Sequence, residues 1–163
     1  MNLEELFQNA KHIVICGIGN DMRGDDAFGV LVANRLAERV RGDEVRIINC
    51  GEVPESYVGK ITEEKPDLVV FVDAVDFKGR VGELIVTDPE GTLGEAVSTH
   101  GLPLRILVSY LKEVLPDTRF VLVGCQPAST GFLEEPCPEI KEAVERVTSY
   151  LEALIGRRSK LEV

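Results

Sequence analysis

The sequence predicts an α/β fold, a three-layer α/β/α sandwich around a mostly parallel, twisted five-stranded sheet. Short apolar runs typical of buried strands alternate along the chain with segments whose apolar residues repeat at helical spacing. The run 68–72 is apolar throughout, as expected for a central strand that helices cover on both faces. The chain has 163 residues without linkers or repeats, so we predict a single domain over residues 1–163.

The first half of the chain is predicted to form three strands and two helices. An apolar run predicts a strand over 12–16, and a glycine turn follows it. A helix over 26–40 is indicated by an apolar stripe at helical spacing. A second strand is predicted over 45–49, and Pro54 then opens a short helix that ends before Pro66. The stripe of the longer helix consists of Phe28, Leu31, Val32, Leu36 and Val40.

The second half of the chain begins with a glycine-containing turn over 78–82, after which a strand is predicted over 83–86. Residues 88–102 contain three glycines and are expected to be irregular. Pro103 suits the first turn of a helix that reaches Leu115, and a strand over 119–123 follows. The last helix is predicted over 137–155, and we expect the tail 157–160 to fray.

Composition narrows the range of possible functions. The net charge of −10 argues against nucleic acid as a partner, because a phosphate backbone requires a basic surface. No apolar run approaches 18 residues, and the acidic first residues lack the basic start of a signal peptide. We therefore expect a cytoplasmic protein with neither a membrane nor a nucleic acid as partner. The four cysteines form no Cys-x-x-Cys pair and are assigned no chemistry.

The segment from Gly17 to Gly29 is the most informative part of the sequence. It follows the first strand, contains the turn Gly17-Ile18-Gly19-Asn20, and brings the adjacent carboxylates Asp25 and Asp26 to the start of a helix. Carboxylates would repel a phosphate, so the turn suits a metal or a reacting group better than a nucleotide. The dinucleotide fingerprint, the P-loop and the serine-hydrolase elbow all require residues that this chain lacks.

Three polar residues are expected at the carboxyl edge of the sheet, where α/β proteins bind their ligands. Asp26 follows the first strand, Asp73 ends the third, and His100 lies in the loop before the helix at Pro103. Two carboxylates and an imidazole are plausible ligands for nickel or zinc and would leave positions open for a substrate. Each feature also has a structural alternative. An aspartate at a helix start, such as Asp25, can cap backbone amides, Asp73 can simply end a strand or hydrogen-bond the glycine turn, and His100 can be a structural histidine.

These residues resemble the hydrogenase maturation endopeptidases, which trim a C-terminal extension from the large subunit of nickel–iron hydrogenases. The likeness covers nearly the whole chain. It includes the opening segment with Gly29, and the later blocks Val72-Asp73-Ala74, Thr99-His100 and Gly124-Cys125-Gln126-Pro127. One departure from the family pattern is Ala27, where many relatives carry glycine.

The resemblance implies that Asp26, Asp73 and His100 contact nickel, which the precursor of the large subunit carries. It also implies an aspartic-type endopeptidase with Asp26 and Asp73 as the catalytic residues. Either nickel polarises the scissile carbonyl while an aspartate activates water, or nickel only docks the substrate and the aspartate acts alone. The sequence leaves both mechanisms open.

Two other functions remain possible at the level of sequence. A non-catalytic maturation checkpoint or chaperone could use the same three ligands to bind the same precursor without cutting it. A peptidyl-tRNA hydrolase also opens with a strand and a Gly-x-Gly-Asn turn, but it needs an early histidine and a basic channel. Residues 21–40 contain no histidine and the chain is acidic, so this function is less favoured.

Overall fold

The structure is a computed structural model that describes residues 2–90, 97–98 and 104–161, with side chains up to residue 158 except at 97–98. The strands are β1 Ile13–Ile18, β2 Val45–Gly51, β3 Leu68–Asp76, β4 Leu84–Thr87, β5 Val97–Ser98 and β6 Arg119–Cys125. The α-helices are α1 Leu3–Asn9, α2 Phe28–Arg39, α3 Val58–Glu63, α4 Leu104–Val114 and α5 Pro138–Leu161. Single 3-10 turns at Gly24–Ala27 and Pro54–Tyr57 precede α2 and α3.

The main sheet has five strands in the order β2-β1-β3-β6-β4. The pairs β1–β2, β1–β3 and β3–β6 are parallel, whereas β4 runs antiparallel to β6 at the edge. This confirms the predicted mostly parallel five-stranded sheet. The two-residue strand β5 adds an antiparallel pairing to the end of β3 and lies within the segment predicted to be irregular.

Helices cover both faces of the sheet, as predicted, and each face has its own apolar core. Alternate residues of β3 point to opposite faces, because successive side chains of a strand do so. Val70 and Val72 join the core under α1, α2 and α5, while Val69 and Phe71 join the core under α3 and α4. Among the described helices, none combines the length and the apolar character that crossing a membrane requires.

The helix α1 was not predicted, although its start carries a recognisable cap. The side chain of Asn2 accepts a hydrogen bond from the amide of Glu5, at 3.2 Å, which satisfies one of the unpaired amides of the first turn. Leu3 and Phe7 then bury one face of the helix. With only seven residues, α1 shows too little periodicity to be recognised from the sequence.

The C-terminal tail also differs from the prediction, because α5 continues through residues 157–160 instead of fraying. Arg158 is only 3% exposed. Its guanidinium donates to the carbonyl of Ala10 at 2.9 and 2.5 Å and to that of Lys11 at 2.9 Å. These bonds fix the last turns of α5 to the connection between α1 and β1. An arginine near a chain end gives no local signal of this long-range contact.

Replacing Arg158 by methionine should therefore destabilise the protein while keeping the helix propensity and length of the side chain. We expect the free energy of unfolding to fall by about 2 kcal/mol, because buried carbonyls lose a charged donor. The measurement is urea denaturation followed by circular dichroism. The matched control is Arg157→Met, whose side chain is 58% exposed and should cost less than about 0.5 kcal/mol. Equal losses in the two variants would contradict the structural role of Arg158.

Candidate functional site at the carboxyl edge of the sheet

The glycine turn after β1 folds back onto the 3-10 turn that carries the two aspartates. Gly19 has φ +153°, and a Cβ atom at this position would lie 2.1 Å from the carbonyl oxygen of Asp26. Such a distance is far inside van der Waals contact, so only glycine fits here. The amide of Asn20 donates to the same Asp26 oxygen at 3.2 Å. The turn and the backbone of Asp26 therefore form one closely packed unit.

The start of α2 approaches the ends of two strands at the same point. A Cβ atom on Gly29 would lie 2.2 Å from the carbonyl oxygens of both Ile18 in β1 and Val72 in β3. The helix can reach these strands only because this position has no side chain. Ala27, which departs from the family pattern, has φ −74° and ψ −10°. Any L-residue adopts that conformation, so the departure leaves the turn undisturbed.

Asp26 and Asp73 lie on adjoining elements at the place where the sheet order predicts a ligand site. In the sheet, β2 lies on one side of β1 and β3 lies on the other, so the order of the strands reverses direction at β1. The crevice at such a switch point is where open α/β sheets usually bind their ligands. The 3-10 turn that carries Asp26 contacts β3. The two side chains are 2% and 1% exposed, respectively. Burial of a carboxylate is costly, so this arrangement points to a specific role.

The position of Asp73 within its strand differs from the prediction. The sequence suggested that Asp73 ends the strand, whereas β3 continues to Asp76 and Asp73 pairs with Gly124 of β6. The strand extends because β6 pairs with it as far as Ala74 and the short strand β5 pairs with Val75 and Asp76. Asp73 is thus held by a rigid ladder on a central strand, which fixes it better than a strand end would.

His100, the third predicted residue, lies outside the described residues, together with Thr99. Within the described part of the chain, no group of three or more His, Cys, Asp or Glu side chains is placed to hold a metal ion. The ligand set Asp26, Asp73 and His100 therefore stays a prediction. The two carboxylates present are donors that a divalent metal accepts, and an imidazole would add the softer nitrogen that nickel favours.

Asp25 has a structural role, but a different one from the capping of its own helix that the sequence left open as an alternative. Its carboxylate accepts hydrogen bonds from the amides of Ala128 at 2.7 Å, Ser129 at 3.1 Å and Cys137 at 2.8 Å. The side chain is 1% exposed. Cys137 immediately precedes α5, whose positive dipole end favours a carboxylate. Asp25 therefore ties the turn before α2 to the segment 127–137 and to the start of the last helix.

Gln126 organises the neighbouring turn, and no role for it was predicted. Its side-chain oxygen accepts from the amides of Phe77 at 2.8 Å and Gly79 at 3.0 Å, while its nitrogen donates to Asp76 at 3.1 Å. Hydrogen bonds from the amide of Lys78 and from Gln126 lower the pKa of Asp76. The only signal in the sequence was the block Gly124–Pro127, whose contacts cannot be read from the sequence alone.

A cavity of about 250 Å³ adjoins the glycine turn on the side of β2. Its volume is below the usual range for a drug-sized ligand and suits one or two side chains of a peptide. The lining residues are Gly19, Asn20, Asp21, Val30, Asn49, Gly51 and Glu52. Space for part of a partner molecule thus exists directly beside the turn that leads to Asp26.

Three cysteines, Cys16, Cys50 and Cys125, are fully buried, and none of the four forms a disulfide. Burial raises the pKa of Cys125 to about 12. The pKa of Cys16 also rises, chiefly through a hydrogen bond with Cys50 and then through burial. Burial raises the pKa of Cys137 as well, and its thiol donates to Asp25 at 3.4 Å. Neutral thiols are poor nucleophiles and poor metal ligands.

Comparison with known proteins identifies a family. The model of the hydrogenase maturation protease family HycI matches residues 30–154. The Hydrogenase 3 maturation protease of Escherichia coli K12 is 36% identical over 146 residues, which cover 88% of this chain and 90% of that protein.

Solved structures show the same similarity. The crystal structure of a NiFe hydrogenase maturation protease HycI from Thermococcus kodakarensis KOD1 has a TM-score of 0.88 and 61% identity, and the match covers 94% of this chain and 98% of that one. The hydrogenase maturating endopeptidase HybD of E. coli matches with a TM-score of 0.75 at 24% identity, over 90% of this chain and 93% of that one. The latter match shows a shared fold alone.

The contacts of Asp25 predict a large effect of an isosteric change. In Asp25→Asn, an amide group would face backbone donors, so we expect the free energy of unfolding to fall by about 2–3 kcal/mol. Chemical denaturation measures this loss, and Asp43→Asn, at an exposed position, serves as the control. If Asp25→Asn is as stable as the control, the carboxylate does not hold the segment 127–137 in place.

The cysteine environments predict low thiol reactivity in the folded protein. At pH 8 a thiol with a pKa of about 12 is ionised in only about one molecule in ten thousand, and its reaction rate should rise about tenfold for each pH unit. We expect at most one thiol, Cys137, to react with Ellman's reagent before unfolding, and all four to react in urea. Rapid native reaction of two or more thiols would contradict this assignment.

Proposed function

The chain belongs to the hydrogenase maturation protease family, and on that premise we propose that it removes the C-terminal extension from the precursor of a nickel–iron hydrogenase large subunit. The family match disfavours the alternative of a peptidyl-tRNA hydrolase. One observation of the structure supports the proposal most directly: two buried carboxylates, Asp26 and Asp73, are held by rigid backbone at the switch point of the sheet.

The proposal assigns Asp26 and Asp73 to an aspartic-type hydrolysis. One carboxylate accepts a proton from water as the water oxygen attacks the scissile carbonyl carbon. The carbon–nitrogen bond then breaks, and the leaving amine takes up a proton.

Nickel enters this proposal as part of the substrate. The precursor would hold the ion next to the scissile bond, and Asp26, Asp73 and His100 would complete its coordination. Oxygen donors with one nitrogen bind nickel less strongly than the thiolates of a cysteine-rich partner. The protease would therefore bind a loaded precursor well and an empty precursor poorly. The ion could also polarise the scissile carbonyl, which would add a catalytic role to recognition.

The experiment is intact-mass measurement of a purified large-subunit precursor incubated with the protein, with and without nickel loading. A discrete C-terminal mass loss only from the loaded precursor is expected. Mass loss without nickel would support the protease activity but would show that the metal is not needed for recognition of the precursor. Binding without any mass loss would instead support the non-catalytic checkpoint.

Asp73→Asn should abolish this mass loss while leaving the fold intact, because the amide keeps the shape of the side chain but cannot accept a proton. We expect cleavage to fall by at least about a thousandfold. Asp117→Asn is the matched control, since Asp117 is exposed at the opposite edge of the sheet, before β6. Retained cleavage by Asp73→Asn would remove this residue from the catalytic set.

A further inference from the structure

Three large apolar side chains are exposed close to the candidate site. Met22 is 50% exposed, Phe132 57% and Leu133 73%. We call these three residues the apolar patch. Leu133 is the most exposed large hydrophobic residue among those the structure describes. Single exposed apolar residues need no explanation, but a cluster of them on two loops next to a site typically marks a binding surface.

The apolar patch is built on two loops that are hydrogen-bonded to each other. The amide of Leu133 donates to the carbonyl of Met22 at 2.6 Å, and that of Gly24 donates to Glu134 at 2.9 Å. The amide of Asp25 continues the ladder with a bond of 2.8 Å to Ser129. The patch and the turn that carries Asp26 therefore form one continuous backbone structure. A partner bound to the patch would lie next to the candidate catalytic carboxylate.

The backbone holds Leu133 in an unfavourable conformation that its own burial does not explain. Its φ is +65°, in the left-handed region that a leucine rarely adopts and that costs about 1–2 kcal/mol. The hydrogen bonds to Met22 and Gly24 keep this segment in place while the side chain remains exposed. Strain of this kind is concentrated at functional sites. Phe132 is preorganised as well, because the guanidinium of Arg23 lies 5.5 Å from the centre of its ring.

The charges around the patch indicate the chemistry of the partner. The segments 19–26 and 127–137 contain five carboxylates and one cation, Arg23, which is already engaged by Phe132. Of these carboxylates, Asp21, Glu134 and Glu135 belong to exposed residues beside the patch. Glu135 also forms a surface ion pair with Lys141 of α5, at 3.3 Å, so most of the excess negative charge of the rim comes from Asp21 and Glu134. An apolar surface with an acidic rim complements an apolar segment flanked by lysine or arginine, and repels an acidic one.

We propose that the apolar patch is the docking surface for the precursor of the hydrogenase large subunit, which it contacts through an apolar segment flanked by basic side chains. This inference rests on the proposed function and adds to it the place where the precursor is recognised. Docking at the patch would supply binding energy away from the scissile bond. Aromatic and apolar anchors of this kind carry most of the affinity in protein interfaces.

The test is a double variant, Phe132→Ser with Leu133→Asn. Both positions are exposed, and asparagine tolerates positive φ better than leucine does, so the variant should fold. The control variant is Tyr150→Ser with Val114→Ser, which removes two exposed apolar side chains from α5 and α4. Steady-state cleavage of the nickel-loaded precursor should show a KM raised about tenfold or more with kcat within about twofold. The control variant should keep both constants.

A second measurement tests the rim. Asp21→Asn with Glu135→Gln should slow association with the precursor about threefold at low salt, and 0.5 M NaCl should remove this difference, because the effect is electrostatic. Unchanged cleavage by the double patch variant, with active wild type, would overturn the docking surface and leave the proposed function standing.

If the wild type does not cleave the precursor, the proposed function fails, and affinity for the same precursor decides the docking question. Loss of binding in the patch variant alone would still support the surface, whereas equal or absent binding in all variants would overturn it. Sedimentation velocity tests whether a second copy of the chain, rather than the precursor, covers the patch. A wild-type dimer that becomes monomeric in the patch variant, without loss of precursor binding, would show that a second copy of the chain covers the patch.

Discussion

The close approach of α2 to the ends of β1 and β3 is the constraint on which the rest of this structure depends. At Gly29 the helix backbone lies so near the carbonyls of Ile18 and Val72 that a single methyl group would not fit. Gly19, in the glycine turn after β1, permits an equally close approach to the backbone of Asp26. Packing at this distance leaves the 3-10 turn little freedom. The position of Asp26 relative to β3 is thus set by backbone contacts rather than by the side chain itself.

The adjacent aspartates divide two tasks between them. The carboxylate of Asp25 accepts hydrogen bonds from amides of the segment 127–137, which ties the turn after β1 to the segment before α5. Asp26 lies at the switch point of the sheet, next to the strand that carries Asp73. A buried carboxylate with several amide donors stabilises the surrounding backbone. The structural aspartate therefore holds its neighbour in position and also supports the loop that presents the apolar patch.

The sequence predicted those features that depend on local pattern. Apolar runs located the five main strands, and helical stripes located α2, α4 and α5, although the short helix α1 was missed. Asp26 and Asp73 were predicted at the edge of the sheet, but the extension of β3 past Asp73 depends on pairing with β6 and β5. The partners of Asp25 lie 103 to 112 residues later in the chain, and those of Arg158 lie 147 and 148 residues earlier. No local periodicity reports such contacts.

The chemistry of the thiols bears on where a nickel ion could be held. Nickel sites with high affinity use thiolates or several imidazoles. The cysteines of this chain are buried or partly buried, and the thiols of Cys16, Cys125 and Cys137 have raised pKa values, which disfavour the thiolate that a metal requires. Among the described residues, the switch point offers carboxylate oxygen, from Asp26 and Asp73. If the protein does recognise nickel, thiolate ligands would therefore come from the partner, and the ion would be recognised as part of the partner that carries it.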